Sequence, residues 1–289
     1  MSTQPELTVS HTSTVTPDQI DELGHMNVRW YGANAVAATA TMCERLGLGE
    51  PPLHSTYTRH HHEQMEGNQL EVRSAVLAGA PHVRFFHELR NRANNDLAAT
   101  FVHELDHDAI AGPGPEVHAI DLPDYGHPRS IDLAIDRTSS APSLADVRSR
   151  GLATRIERRV TTEDSMDADV VPTWLTNNLL WGGERPDGVT DWIKETADGD
   201  RVAFASMETR LRVCRPVAVG TRIQSFGAVI ALGTKIAHDL NWVFDLDTEE
   251  LLAVAETVDL AFSIPNRRSR EMPPEVRERE EARLHPDLA

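Results

Sequence analysis

The chain repeats itself, and that repeat constrains the fold more than any local propensity does. In the first copy, Gly67-Asn68-Gln69-Leu70 opens a strand-like run to Gly79, followed by His87-Glu88-Leu89 and by Asp96-Leu97-Ala98-Ala99-Thr100. In the second, Gly220-Thr221-Arg222-Ile223 opens a run to Gly233, followed by His238-Asp239-Leu240 and by Glu250-Leu251-Leu252-Ala253-Val254. Gly67 and Gly220 lie 153 positions apart, and Leu97 and Leu251 lie 154 apart. Offsets this constant require both copies to build the same supersecondary unit.

Each unit reads as one strand, a long helix and a run of antiparallel strands, an α+β pattern. Positions 70–77, 82–89 and 97–105 are rich in Val, Phe, Leu and Ala with partial alternation, as are 203–213, 222–232, 235–244 and 251–264. Asn94-Asn95-Asp96 and Asp247-Thr248-Glu249-Glu250 supply turn residues for hairpins. Positions 28–46 carry one Glu and two Arg among Ala, Val, Met, Tyr and Trp. A helix apolar on nearly every side is expected to be wrapped by a sheet. The expected limits are an N-terminal unit at 1–115, a linker at 116–150, a C-terminal unit at 151–265 with its first strand at 151–162, and a charged tail at 266–289. In that tail, 274–284 is expected to be a solvated helix. The linker, rich in Pro, Asp, Ser and Arg, is expected to cross the outside of the molecule.

Charge narrows the partners. Against 28 Lys and Arg stand 45 Asp and Glu, a net charge of −17, which argues against nucleic acid because polyphosphate binding needs a basic face. Arg148, Arg150, Arg155, Arg158 and Arg159, and the group Arg267, Arg268 and Arg270, are candidate grips for nucleotide phosphates or else solvated charge beside acids. No stretch reaches the roughly 20 apolar residues of a membrane span, and the first residues have neither the basic segment nor the apolar run of a signal peptide. A cytoplasmic protein is the expectation. Cys43 and Cys214 are too few and too far apart for a disulfide framework, so both are expected to be buried thiols.

The chemistry concentrates in Asp21-Glu22-Leu23-Gly24-His25-Met26-Asn27-Val28, directly ahead of the apolar helix, with Tyr31 one turn on. Backbone amides in a helix's first turn have no partner inside the helix and can polarise a carbonyl oxygen. Here those are the amides of Asn27 and Val28, with Asp21 beside them. This segment resembles the pattern D-x-D-x-x-G-H-x-N of the hotdog-fold acyl-CoA thioesterases of the 4-hydroxybenzoyl-CoA thioesterase type. The family's acid falls on Asp21, its glycine and histidine on Gly24 and His25, and its asparagine on Asn27. The earlier acid is displaced by one residue to Asp18, and Asn27-Val28 stands where many relatives have Asn-Asn.

The resemblance implies a double hotdog, an internal pseudo-dimer open to further homo-oligomerisation, each unit a long helix wrapped by a curved antiparallel sheet. It implies cleavage of an acyl thioester, carried by coenzyme A rather than by an acidic acyl carrier protein, with no cofactor and no metal. Asp21 is then the base or nucleophile, His25 and Asn27 order the loop or the thioester, and Tyr31, His62 and Glu63 line the substrate. His62 and Glu63 are expected to serve the site of the opposite unit. In the second copy Asp169 falls opposite Asp21, but Pro172-Thr173 replaces Gly24-His25 and Trp174 adds bulk. Asn177 and Asn178 could recover some polarity; the second site is expected to be silent. Two rivals stand beside hydrolysis. One is a hotdog hydratase or dehydratase, whose Asn-Pro-containing motif this chain lacks; the other is a non-catalytic acyl-thioester binder.

Two histidine patterns invite a metal reading. His103-Glu104-Leu105-Asp106-His107 matches HExxH, whose zinc chemistry needs both imidazoles on one helical face, yet it follows the strand-like run 97–102. In His60-His61-His62 a strand would let only His60 and His62 share a face. Dialysis against EDTA should therefore leave activity intact, and elemental analysis should find no stoichiometric zinc. One equivalent of zinc whose removal abolishes activity would overturn the strand assignment at 101–105.

Overall fold

Runs of β-branched and aromatic residues, cut by glycine and asparagine turns, fold into five antiparallel strands in the first part of the chain. These are β1 (Thr8–Thr14), β2 (Leu53–His60), β3 (Gln69–Leu77), β4 (His82–Asn91) and β5 (Leu97–Asp108), in the order β1-β3-β4-β5-β2. Between β1 and β2 runs the helix α1 (Val28–Leu46). A two-residue strand, β6 (Ala119–Ile120), adds parallel to β3. The computed structural model describes residues 7–21, 23–79, 81–108, 119–176, 179 and 194–289. The chain divides into two units, Met1–Arg129 and Ser130–Ala289.

The first unit is held by one stripe of α1 against the inner face of its sheet. Tyr31, Asn34, Ala35, Ala38, Thr39, Met42 and Cys43 are buried, a spacing of three and four that follows one helical face. The helix is thus not wrapped on every side as its composition implied: Val28 is 46% exposed. Asn27 caps its start by accepting the Arg29 N–H at 3.1 Å, and Gly47 ends it in the left-handed conformation at φ 66°. The outer face of the same sheet is covered by the segment after β6. Gly126 lies so close that an added Cβ would meet the Phe86 ring at 2.7 Å, and Arg59 donates to the carbonyls of Tyr125 and His127.

The second unit repeats this sheet. Strands β7 (Ala153–Arg159), β9 (Arg201–Val213), β10 (Arg222–Leu232), β11 (Ile236–Asp245) and β12 (Leu251–Ser263) pair antiparallel in the order β7-β10-β11-β12-β9. That is the order of the first unit, position for position. The short strands β8 (Lys194–Glu195) and β13 (Arg268–Ser269) extend β9 and β12. Four residues of helix are described at Thr173–Thr176, so the long helix expected here lies mostly outside the described residues. The side chains of Trp174, Asn177 and Asn178 also lie outside them.

Two expectations are overturned, and the linker is not bare surface. Ile131 is buried, the short helix α2 (Leu144–Ser149) buries Leu144 and Val147 against Phe226, Leu240 and Trp242, and Arg137 reaches the buried Glu256 at 3.0 Å. Nor is the tail a solvated helix. β7 pairs with β10 only as far as Gly227, and the tail takes up the edge beyond it: Val229 N–H donates to Arg283 O and His285 N–H to Val229 O. Met272, Val276 and Glu280 are buried alongside, the last two in the helix Pro274–Glu281. Cys43 is buried as expected, but Cys214, in the turn just after β9, is exposed.

A polar chain runs through the core of the first unit. Thr39 Oγ1 donates to Ala35 O and meets His87 Nε2 at 2.9 Å and His103 Nδ1 at 2.8 Å. Ser74 Oγ lies 2.6 Å from His87 Nδ1 and 2.5 Å from Ser10 Oγ, which donates to Val72 O. His103 of the HELDH string is thus a strand residue inside the core. Burial holds both imidazoles neutral, His103 down to about 3 and His87 well below its ordinary range with His103 adding to the effect. In the unfolded chain both take a proton near 6.5, so stability is full above that value and is lost as pH falls toward 3, by roughly 1.4 kcal/mol per pH unit for each histidine. His103→Gln should therefore flatten the pH dependence of the urea midpoint between pH 6.5 and 4.5 by about one histidine's share. Asp259, pushed up to about 7 by burial, contributes the opposite slope, but equally in both proteins. Parallel profiles for variant and wild type would show that His103 titrates normally in the fold.

Candidate active site

The spacing of Asp21 and His25 works through a tight turn rather than through a helix. Ile20 and Met26 form an antiparallel bridge, Asp21 N–H donates to His25 O at 2.9 Å, and Gly24 N–H donates to Asp21 O at 3.0 Å. Gly24 sits at φ 82°, a conformation that a side chain would strain. Residues opposite each other across such a turn put their side chains on one side. His25 Nδ1 accordingly lies 3.2 Å from Asp21 Oδ2, both side chains being 14% exposed, while Asp21 Oδ1 accepts the Leu23 N–H at 2.9 Å.

Glu63 completes the group within the same unit. Its Oε1 approaches His25 Nε2 at 3.6 Å, so the imidazole lies between two carboxylates. Glu63 thus stands beside the first unit's own Asp21 and His25. The reason is local: the segment after β2 is pinned against the start of α1. Tyr31 Oη donates to His62 O at 3.3 Å and accepts the Gln64 N–H at 3.1 Å, while Met26 N–H donates to Gln64 O at 2.7 Å. His60 packs edge-on against Tyr31, with ring centroids 5.0 Å apart. Burial, with the charges of Glu63 and Asp21, pushes the Tyr31 hydroxyl far up, so it stays a neutral donor to the loop. Tyr31 thus spends its hydroxyl on backbone, and the imidazole of His62 stands exposed.

Sequence reasoning missed Gln64. Its buried side chain donates to His62 O and Glu63 O and accepts from Asn91 Nδ2 at 3.0 Å, which fixes the turn that presents Glu63. A single Gln in a polar run carries no periodicity or motif to reveal this. The expected oxyanion donors also divide. Asn27 N–H is used, donating to Gln19 O at 2.9 Å, and the Asn27 side chain is the helix cap. The Val28 N–H has no partner among the described residues.

In the second unit Asp169 lies on an exposed segment where its carbonyl accepts the Val219 N–H, and no side chain among the described residues pairs with its carboxylate. Asn177, its proposed companion, lies outside the described residues. The arginine clusters are largely neutralised within the unit. Arg158 holds Asp164, Arg150 holds Asp287, Arg155 holds Asp239, and Arg270 holds Asp198 and Asp200. Among the described residues no three His, Cys, Asp or Glu side chains are placed to hold a metal ion, and no helix is long and apolar enough to cross a membrane.

No protein-family model matches this chain, and no curated protein sequence does. Solved structures do. An acyl-ACP thioesterase from Bacteroides thetaiotaomicron aligns with a TM-score of 0.60 at 7% identity, over 88% of this chain and 97% of its own. The 12:0-ACP thioesterase of Umbellularia californica aligns at 0.57 and 12%, over 87% and 93%. A putative MaoC domain dehydratase from Chloroflexus aurantiacus aligns at 0.53 and 10%, over 89% and 95%. The chain therefore has the hotdog fold that these thioesterases and this dehydratase share.

Proposed function

We propose that the protein hydrolyses an acyl thioester at the Asp21–His25–Glu63 group. The observation that carries this reading is the imidazole set between two carboxylates at the start of a helix. Asp21 Oδ2 accepts the Nδ1–H of His25 and so leaves Nε2 as the ring's acceptor, facing Glu63 across 3.6 Å. A water between His25 Nε2 and Glu63 would lose its proton to this pair as its oxygen attacks the thioester carbonyl. The Val28 N–H is the donor we assign to the carbonyl oxygen as charge develops there. Collapse of the tetrahedral species expels the thiolate, and the proton gathered at His25 returns to sulfur. Both bonds are then accounted for: C–O forms, C–S breaks, and no cofactor is required.

We assign coenzyme A as the thiol carrier because a net charge of −17 opposes an acidic carrier protein. The thioesterase neighbours support an acyl-thioester substrate through the shared fold, and two of them carry acyl-ACP in their names. A panel of acyl-CoAs, followed by free thiol and by mass spectrometry of each acyl chain, separates the rivals. Hydration of an enoyl chain with the thioester intact would favour the hydratase reading, and binding without turnover would favour the silent binder.

Two substitutions test the residues. Asp21→Asn should lower turnover by at least about 100-fold with little change in substrate affinity, because the amide no longer holds His25 in the tautomer that makes Nε2 the base; wild-type turnover would remove Asp21 from the mechanism. Asp169→Asn should keep turnover within about twofold, because its exposed carboxylate has no imidazole beside it. Half the activity lost in each variant and nearly all in the double variant would instead mean two equivalent sites.

A further inference from the structure

The repeat allows the inner sheet faces of the two units to be compared position by position. In the first unit His87 pairs with Phe101 and Phe85 with His103 across β4 and β5. In the second, Asn241 pairs with Ala255 and Asp239 with Thr257 across β11 and β12. His87 thus matches Asn241, Phe85 matches Asp239, and His103 matches Thr257. Two residues further along β5 and β12, Leu105 matches Asp259. Their partners on the next strand, each beside a bulge, are Leu53 and Ser206.

The chemistry of these five positions differs completely between the units. In the first, Phe85, Leu105 and Leu53 form an apolar seat for Met42 and Cys43 of α1, while His87 and His103 share Thr39. In the second, the seat is Asp239, Asp259, Ser206, Asn241 and Thr257. Asn241 is 0% exposed with neither amide atom hydrogen-bonded among the described residues, and the hydroxyl of Thr257, 2% exposed, has no partner among them either. Buried groups left this way cost about 1–3 kcal/mol each, which calls for a partner. Opposite Asn241 the sheet has Gly227, where an added Cβ would meet Asn241 Oδ1 and Arg155 Nε at 2.5 Å. The bare glycine lets these two side chains lie down on the strand.

The charges around the seat are paired among themselves. Asp239 Oδ1 is held by Arg155 at 2.9 Å and by Arg283 at 2.8 Å, and Glu280 by Arg283 at 2.6 Å and by Arg279 at 2.7 Å. Asp259 is partly exposed, lies opposite Ser206 of β9, and is pushed up to about 7 by burial and then by the charge of Asp239. A charged ligand would upset this balance. A neutral group that both donates and accepts would satisfy it, and a hydroxyl does so through one atom. Along the same face the polar positions give way to Ala255, Ala253, Val243 and Leu211, an apolar surface suited to methylenes.

We propose that the polar half of the second unit's inner sheet face binds the hydroxyl of an uncharged, hydroxylated acyl chain, which accepts from Asn241 Nδ2 and donates to Asn241 Oδ1 or to Asp259. The acyl nature of the ligand rests on the acyl-thioester reading above; the hydroxyl preference rests on Asn241 and Thr257. Calorimetric titration of the Asp21→Asn protein with decanoyl-CoA, 3-hydroxydecanoyl-CoA and 10-hydroxydecanoyl-CoA tests it without turnover. At least one hydroxylated compound should bind about tenfold or more tightly than decanoyl-CoA. Adding Asn241→Leu should abolish that preference while leaving decanoyl-CoA affinity and the urea midpoint equal or higher; Thr257→Val alone, a smaller change, should weaken the preference if the first variant fails to fold. Equal affinity for all three compounds, no binding of the hydroxylated ones, or a preference that survives in a folded variant would overturn the proposal. Selective binding by a protein that hydrolyses none of the three would leave this site standing and remove the hydrolase reading instead.

Discussion

The burial of one stripe of α1 on the inner face of its sheet is the contact on which the first unit depends. Seven residues spaced by threes and fours turn inward, and the positions that follow from this are the ones with chemistry. Because the stripe begins at Tyr31, the turn that precedes the helix is drawn against the end of β2, and Asp21, His25 and Glu63 converge without any one of them lying in the core. The same stripe carries Thr39 to the middle of the sheet, where a hydroxyl rather than a methyl is needed to join two neutral imidazoles. Apolar burial and polar positioning are here one constraint, since neither the network nor the site survives a shift of the helix by one residue.

The site is made by backbone as much as by side chains. Gly24 supplies a left-handed turn, Asn27 caps the helix, and Tyr31 and Gln64 spend their polar groups on the main chain of residues 62–64. What remains is a short arc of carboxylate, imidazole and carboxylate, with a backbone amide at Val28 that has no partner among the described residues. Preorganisation of this kind lets a small polar group act on a carbonyl without the site having to rearrange during reaction.

The two units show how a duplicated sheet diverges. Strand order, hairpin turns and even the bulge opposite Leu105 and Asp259 are retained, because each is demanded by backbone pairing. Side chains on the inner face are not so bound. There the second copy has exchanged Phe, Leu and His for Asp, Ser, Asn and Thr, and a C-terminal segment pairs with the edge of β10 beyond the end of β7.

Much of this was legible in the sequence for physical reasons. A repeat near 153 residues forces two like units, apolar runs with partial alternation cut by turn residues favour strands, and a long apolar run favours α1; observed limits at Val28–Leu46 and Arg222–Leu232 coincide with the expected ones. The segment that carries Asp21, Gly24, His25 and Asn27 was legible too, as a carboxylate, a glycine turn and a histidine ahead of the helix; that Asp21 and His25 face each other was not. Nor were partners set by distant chain. Glu63 meets His25 across 38 residues of sequence, the charged tail finds its place on Val229, and Asn241 lies over Gly227. None of these leaves a local pattern, because each depends on which strands lie side by side, and only the packed sheet decides that.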